Sequence, residues 1–303
     1  MMTSIKYLIK RNVKMFFKDK GLFFTSLITP LILLVLYSTF LGNVYEDSFR
    51  QILSAIAPNL AVPDSVIKGC VGGQLFSSLL SVSAVTVTFC SNMLMVQDKI
   101  TGARTDLTIT PVKGSQLAIS YYVSTFITTL IVCFVAIVAC LIYIIVIGWY
   151  LSVLDIVLII VDVLILVMFA TALSSNINNF LSSQGQISAV GSIVSSCYGF
   201  ISGAYMPISQ FSKGLQNVVA ALPGTYGTSL LRNHTLRGVF SEMEDLGIPS
   251  NAIESIKDSI DCNIHFFDNK VPFDFMYIYL GGVTVILVAI FILMNLKKRK
   301  NKG

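Results

Sequence analysis

The sequence predicts an all-α integral membrane protein with six transmembrane helices. Hydrophobic residues make up 54% of the 303 positions and charged residues only 12%, whereas about a quarter of a typical soluble domain is charged. Mean hydropathy is +0.78. Several apolar runs approach or exceed the roughly 20 residues that a helix needs to cross a bilayer, and helices satisfy their own backbone hydrogen bonds in lipid.

Six apolar segments fit this length. The first follows a charged stretch and has no small-residue cleavage site, which indicates a retained helix rather than a signal peptide. The predicted spans are residues 22–41, 72–96, 117–147, 151–173, 186–205 and 273–295.

Residues 1–21 form a predicted amphipathic helix at the cytoplasmic membrane surface. One face of this helix is apolar and another carries lysines four residues apart. This helix either only anchors the chain and sets its topology, or also passes motion to the spans. The two faces consist of Ile5, Leu8, Ile9, Val13 and Phe16, and of Lys6, Lys10, Lys14 and Lys18.

The distribution of Lys and Arg predicts that both termini are cytoplasmic. Six of these residues lie in residues 1–21, three in the connection 97–116 and five in the tail after residue 295. The net charge of +5 therefore reflects topology, and nothing in the pattern favours nucleic-acid binding.

The connection 97–116 is a short polar turn, QDKITGARTDLTITPVKGSQ, within the segment 22–205 that holds the first five spans. It mixes both charge signs before Pro111 ends any helix. A brief charged helix beneath the membrane suits docking to a soluble partner, although a solvated linker has the same composition.

The segment from Gly203 to Gly238 is too interrupted by Gly and Pro to cross the bilayer and too apolar for an ordinary loop. It predicts an extracellular re-entrant helical segment, assigned to residues 206–238, that caps a cavity as an outer gate. Residues 239–272 then form a polar extracellular insert, and residues 273–303 form the last span and a basic tail.

Two polar stripes run along predicted helices and allow two interpretations. They either line a conduit for an amphipathic substrate or allow close helix packing through small residues. For span two we favour the conduit, and for span five, with its Gly199/Gly203 pair, we favour packing. The stripes contain Gln74, Ser77, Ser81, Thr88, Ser91 and Asn92 in span two, and Gln184, Ser188, Ser192, Ser195, Gly199, Ser202 and Gly203 in span five.

Asp162 is the acid deepest within a predicted span, with Asp155 two turns away on the same face. An intramembrane acid is a functional candidate because it is costly to bury. We expect a structural partner such as a Tyr or Ser on a neighbouring helix. His234 and His265 are expected to be external surface residues.

Two local motifs resemble those of a known family. One is an acidic, Gly, acidic, Thr-Pro pattern after span two, and the other a Gly-x-x-x-Pro followed by Leu-Pro-x-Thr-Tyr and Arg after span five. These motifs and the six spans resemble the permease subunits of ABC type-2 exporters, the bacterial drug and polysaccharide exporter class. The matching residues are Asp98, Gly102, Asp106, Leu107, Thr110, Pro111 and Val112, then Gly203, Pro207, Leu222, Pro223, Thr225, Tyr226 and Arg232.

The resemblance implies a multi-pass protein of the bacterial plasma membrane. Two permeases, identical or related, would pair around an export path for a hydrophobic or amphipathic substrate, such as an antibiotic, peptide or lipid. Two copies of a separate ABC ATPase would bind ATP and Mg, so this chain would hold no cofactor and would not be an enzyme. The sequence indeed contains no GxxxxGK[ST] phosphate loop.

The predicted sites fall into three groups: contact with the ATPase, the substrate path and the outer gate. They consist of Asp98, Lys99, Gly102, Arg104, Asp106, Thr110 and Pro111 for ATPase coupling; Gln74, Ser77, Ser81, Thr88, Asn92, Ser188 and Ser192 for the path; and Gly203, Pro207, Pro223 and Tyr226 for the gate.

Two alternatives remain at this point. An ion- or proton-coupled secondary transporter or channel would work alone, with Asp162 as its ion site. A membrane scaffold or sensor would instead bind a ligand through the external insert. Transport driven by a proton gradient without ATP would favour the first, and an associated ATPase would exclude both.

Overall fold

The computed structural model describes residues 2–56, 58, 62–109 and 112–300, which are almost entirely helical. The predicted all-α membrane fold is confirmed. Five helical stretches are long and apolar enough to cross a membrane: Lys20–Ile56, Asp64–Ile100, Gly114–Ile147, Val153–Phe180 and Phe273–Asn295.

The chain begins with helix α1 (Met2–Lys18), which ends just before α2 (Lys20–Leu36). Asp19 lies between them and accepts a hydrogen bond from the Leu22 amide, so it caps the new helix. After α2, a π-helical turn (Tyr37–Leu41) leads without a break into α3 (Gly42–Ile56).

Helix α4 (Asp64–Asn92) is the centre of the bundle, and its membrane-spanning part is completely buried. It packs against α2 and four later helices. These are α7 (Gly114–Ile147), α8 (Val153–Phe180), α9 (Gln184–Ile201) and α11 (Pro223–Asp245).

Two short helices, α5 (Leu94–Ile100) and α6 (Ala103–Ile109), form the turn between α4 and α7. The last long helix, α13 (Phe273–Lys300), packs against α8 and α11.

The segment after α9 contains a 3₁₀ turn (Ile208–Gln210), the short α10 (Lys213–Ala220), α11 and α12 (Ser250–Ser259). A small antiparallel pair, β1 (His265–Phe266) with β2 (Asn269–Lys270), precedes α13. Helix α11 runs unbroken across residues 238 and 239, so the boundary that we drew there between a re-entrant segment and an insert lies inside one helix.

Contacts between helix termini show which elements lie together at each end of the bundle. At one end, Lys99 of α5 binds the last carbonyls of α8. At the other, Arg237 of α11 pairs with Asp155 in the first turn of α8, the N–O distance being 2.6 Å. Helix α9 starts near the first end, and its last turn lies beside the start of α11, where Thr225 donates to the Ile201 carbonyl.

Candidate functional site

The turn α5–α6 is held to the bundle by Asp98. Its buried carboxylate receives two hydrogen bonds from the guanidinium of Arg11 on α1, at 2.7 and 3.0 Å, and one from the Tyr121 hydroxyl on α7 at 2.5 Å. Hydrogen bonding to Asp98 raises the pKa of Arg11. Asp98 thus joins three helices and faces away from solvent.

Lys99 also points into the chain. Its ammonium donates to the carbonyls of Asn178, Asn179 and Leu181, where α8 ends, at 2.9 to 3.1 Å. A cation at a helix C-terminus satisfies carbonyls that lack helical partners and complements the helix dipole.

Helix α6 has no buried residue. Gly102 makes the bend before it with a φ of +80°, which glycine adopts without steric cost. Asp106 is exposed, Arg104 is partly buried, and Ile109 is 80% exposed. The other two predicted coupling residues, Thr110 and Pro111, lie outside the described residues.

The span-two stripe of α4 faces other helices of its own chain. Gln74, Ser77, Ser81, Thr88 and Asn92 are all at most 1% exposed. Their contacts therefore favour the packing interpretation over the conduit for this helix.

Specific hydrogen bonds account for that burial. The Ser81 hydroxyl lies 2.5 Å from the hydroxyl of Thr228 on α11. The Asn92 amide donates to Ser174 and Ser175 of α8 at 2.8 and 3.0 Å. Further contacts join Gln74 to Tyr45, Ser77 to the Gln74 carbonyl, and Thr88 to Thr129.

The span-five stripe lies in the opposite environment. Only Ile187 and Gly199 are buried on α9, while Ser188 and Ser192 are exposed. Gly199 packs against the ring of Tyr205 in the same chain. A row of hydroxyls therefore points out of the bundle between apolar helices.

A groove of about 840 Å³ runs beside this row, between α9 and the first membrane helix. One wall carries Ser195 and Ser196, and the other carries Ile32 and Phe40. The π-helical turn that holds Phe40 exposes 63% of its side chain, and such turns are frequent at functional sites.

Two of the predicted gate residues, Gly203 and Pro207, lie next to a buried ion pair. Arg232 is fully buried, and its guanidinium lies 3.2 Å from the Asp261 carboxylate and 2.5 Å from the Gly203 carbonyl. Asp261 in turn accepts the backbone N–H of Ile208. Burial raises the pKa of Asp261 to about 6, against the lowering effect of Arg232.

Each gate residue has a defined local role. Gly203 has a φ of +69°, and a side chain there would meet Asp261 within 2.5 Å. Pro207 precedes the 3₁₀ turn, and Pro223 occupies the first turn of α11, where its missing N–H costs nothing. The ring of Tyr226 packs edge-on against Tyr279 of α13.

Asp162 has the tyrosine partner that we expected from the sequence. The hydroxyl of Tyr277 on α13 donates to its carboxylate at 2.6 Å. A second partner is His234 on α11, whose Nδ1 lies 2.5 Å from the carboxylate. The prediction that His234 is a surface residue is wrong, because α11 enters the bundle and leaves this side chain only 6% exposed. His265 is exposed on β1.

Sequence reasoning missed two internal contacts because each joins distant parts of the chain. Arg11 is only counted from the sequence among the six basic residues of the N-terminal segment, although it binds Asp98 on α5. Arg237 has no role predicted from the sequence, although it pairs with Asp155 beside a pocket of about 590 Å³. Among the described residues, no group of three or more His, Cys, Asp and Glu side chains could hold a metal ion.

These features describe a helical membrane bundle with a buried polar centre, an anchored turn at one end and a segment interrupted by Gly and Pro after α9. The chain belongs to the ABC-2 type transporter family, whose sequence profile matches residues 3–235. It is therefore an ABC-type permease embedded in a membrane. No curated protein matches the sequence.

We predict that Arg11→Met destabilises the chain. The Asp98 carboxylate would stay buried without its cation, which costs about 3 kcal/mol, the lower end for breaking a buried pair because Arg11 itself is partly exposed. Thermal unfolding in detergent measures the change. Lys10→Met is the control, since it removes an exposed charge from the same helix. Equal stability of the two variants would contradict this role for Arg11.

Proposed function

We propose that this chain is the permease of an ATP-driven exporter, in which two permeases and two copies of a separate ABC ATPase move a hydrophobic or amphipathic substrate out of a bacterial cell. Family membership supports a partner ATPase, and the chain carries no phosphate loop of its own. The proposal rests on one observation. The serine hydroxyls of α9 are exposed on a surface that lipid would cover if no partner, water or substrate did.

The topology that we propose has six crossings and cytoplasmic termini. Helix α9 has 18 residues, about 27 Å at the helical rise, which is close to the thickness of the hydrocarbon core. Its first turn follows the end of α8, and its last turn lies beside the start of α11. We assign it a crossing because α13 starts at the same end as α8. The Lys and Arg distribution supports the cytoplasmic assignment of α1 and α6.

The proposed ATPase contact is the exposed face of α6. Asp98 and Lys99 fix the position of the turn from inside, so that pressure on α6 is passed to α1, α7 and α8. Asp106, Arg104 and the exposed Ile109 offer charge and apolar area to a partner. Protein interfaces combine an apolar core with a polar rim, and this patch offers both kinds of surface.

The proposed path lies on the exposed side of α9. A bilayer gives no hydrogen bonds to Ser188 and Ser192, so a second permease, water or substrate would satisfy them. The neighbouring groove is lined mainly by apolar side chains, and hydroxyls such as those of Thr29 and Ser195 lie on both of its walls. This combination matches an amphipathic molecule.

The proposed outer gate is the segment that starts at Gly203. Pro207 and Tyr205 line the groove, and the Arg232–Asp261 pair holds the backbone on both sides of them. Opening of the gate would then require movement around this pair.

A second candidate function is ion-coupled transport through the cluster of Asp162, His234 and Tyr277. An acid and an imidazole 2.5 Å apart, buried between three helices, could exchange a proton. The cluster lies away from the hydroxyl row and has no open route among the described residues, so we favour a structural role.

The α6 contact predicts that Arg104→Glu with Asp106→Arg weakens ATPase binding. The reversed charges would face the partner's unchanged charges, while folding stays intact because α6 has no buried residue. Co-purification of the ATPase and substrate-stimulated ATP hydrolysis measure the effect. Glu244→Arg, at the opposite end of the bundle, is the control. Normal ATPase retention in the double variant would refute the contact.

If the exposed side of α9 forms the path, replacing a serine by leucine should have different effects on α9 and on α4. Ser188→Leu and Ser192→Leu should accumulate normally with the ATPase bound but shift substrate-stimulated ATPase activity, because both sites are open. Ser81→Leu should instead lower abundance, because overpacking a closed site costs about 1 to 3 kcal/mol. Unaltered transport by both exposed variants would exclude the path on this face.

The two candidate functions differ in their driving force. For the exporter, proteoliposomes should transport with ATP and the partner ATPase, and should not transport when only a pH gradient is imposed. Asp162→Asn should then lower stability, through its contacts with Tyr277 and His234, without changing the need for ATP. Gradient-driven transport that disappears in Asp162→Asn would favour the ion-coupled function.

A further inference from the structure

We propose that the groove between α2 and α7 binds an anionic phospholipid, with an acyl chain in the groove and the phosphate at the lysines of the α1–α2 junction. This site lies on a different face from the hydroxyl row of α9, and it does not depend on the proposed transport function.

The groove has the shape and chemistry of an acyl-chain site. It encloses about 430 Å³ between α2 and α7, with α4 as its floor, and its lining is almost entirely apolar. On α7 it extends from Ile131 to Tyr143, about 18 Å at the helical rise and slightly more than half of the roughly 30 Å hydrocarbon core. Other lining residues are Leu27, Leu34, Leu79 and Ala139.

One end of the groove opens at the membrane-surface helix. Phe17 of α1 and Phe23 of α2 both line the groove, and their ring centroids are 5.8 Å apart. The ring of Phe16 lies 6.0 Å from that of Phe23 and adds to this aromatic cluster. The cluster thus places the entrance at the short break between α1 and α2.

The entrance is strongly basic. Lys14 and Lys18 flank Phe17 in sequence, and Lys20 begins α2. All three side chains are exposed, and the described part of the chain gives none of them an ion pair. Asp19 is the acid between them, and its carboxylate is used to cap the Leu22 amide.

A single anionic phospholipid matches both parts of the site. Lysines on an amphipathic helix beside a membrane span attract anionic headgroups, and each is worth about a fivefold change in binding near the surface. An acyl chain matches the apolar walls, whereas a second permease would be expected to cover the unsatisfied hydroxyls of α9 instead. The charge at the entrance therefore decides which lipid binds.

The test measures lipid retained by the purified full-length complex from discs that contain phosphatidylglycerol and phosphatidylcholine in equal parts. Native mass spectrometry should show preferential retention of phosphatidylglycerol. Lys18→Gln with Lys20→Gln should reduce that retention about fivefold for each lysine removed. The control, Lys6→Gln with Lys10→Gln, removes the same number of charges from α1, farther from the groove, and should have little effect.

A second pair of variants tests the groove itself. Ala139→Trp fills it and should displace the retained lipid, whereas Val138→Trp adds the same bulk to an adjacent exposed position that does not line the groove. Both sites face outward, so both variants should fold.

Three results would overturn the proposal. Equal retention of both lipids would show that the lysines do not select an anionic headgroup. An equal loss of phosphatidylglycerol in the Lys6/Lys10 control would indicate general attraction to the basic surface. A disulfide between two copies carrying Ala139→Cys, with the six native cysteines replaced, would show that a second permease covers the groove.

Discussion

Many of the polar groups inside the bundle bind other groups of the same chain, and this constraint organises the structure around α4. Hydrocarbon offers no hydrogen bonds, so an unsatisfied polar group there costs several kcal/mol. Asn92 finds Ser174 and Ser175, and Ser81 finds Thr228. Helix α11 is too polar to be a span by composition, yet it packs against α4 because it supplies such partners. Thr235, for example, donates to the Gly73 carbonyl at 3.0 Å.

Two ion pairs fix the ends of this bundle. Arg11 and Asp98 join α1 to the turn α5–α6, and Arg232 and Asp261 join α11 to the segment that follows α12. Removing one partner of a buried pair typically costs about 3 to 5 kcal/mol, because the other charge stays desolvated. Both pairs therefore hold segments that are distant in the chain in fixed relative positions.

The polar side chains on the exposed face of α9, unlike those of α4, do not face other helices of the same chain. Its serines point their hydroxyls toward the surroundings of the bundle, and the adjacent groove is lined mainly by apolar side chains with a few hydroxyls among them. An assembly that left these groups in lipid would lose their hydrogen bonds. The same constraint that closes the centre of the chain thus marks the face on which a partner, water or substrate is required.

The sequence by itself determined the class of the fold. Apolar composition and run length predict membrane helices without knowledge of any contact, and local spacing predicts the amphipathic α1 and the turn 97–116. It also predicted a tyrosine or serine partner for Asp162, because a buried acid requires one. Such features follow from solvent and periodicity, which are local properties.

Only the tertiary structure decided which polar residues face inward. The stripes of α4 and α9 look alike in sequence, since both place small hydroxyl residues on one helical face. Burial separates them: α4 is enclosed on every side, and α9 packs on one side only. His234, Arg11 and Arg237 likewise gained their roles from partners 72 or more residues away. Contacts over such separations depend on how the helices are arranged, and periodicity carries no information about that arrangement.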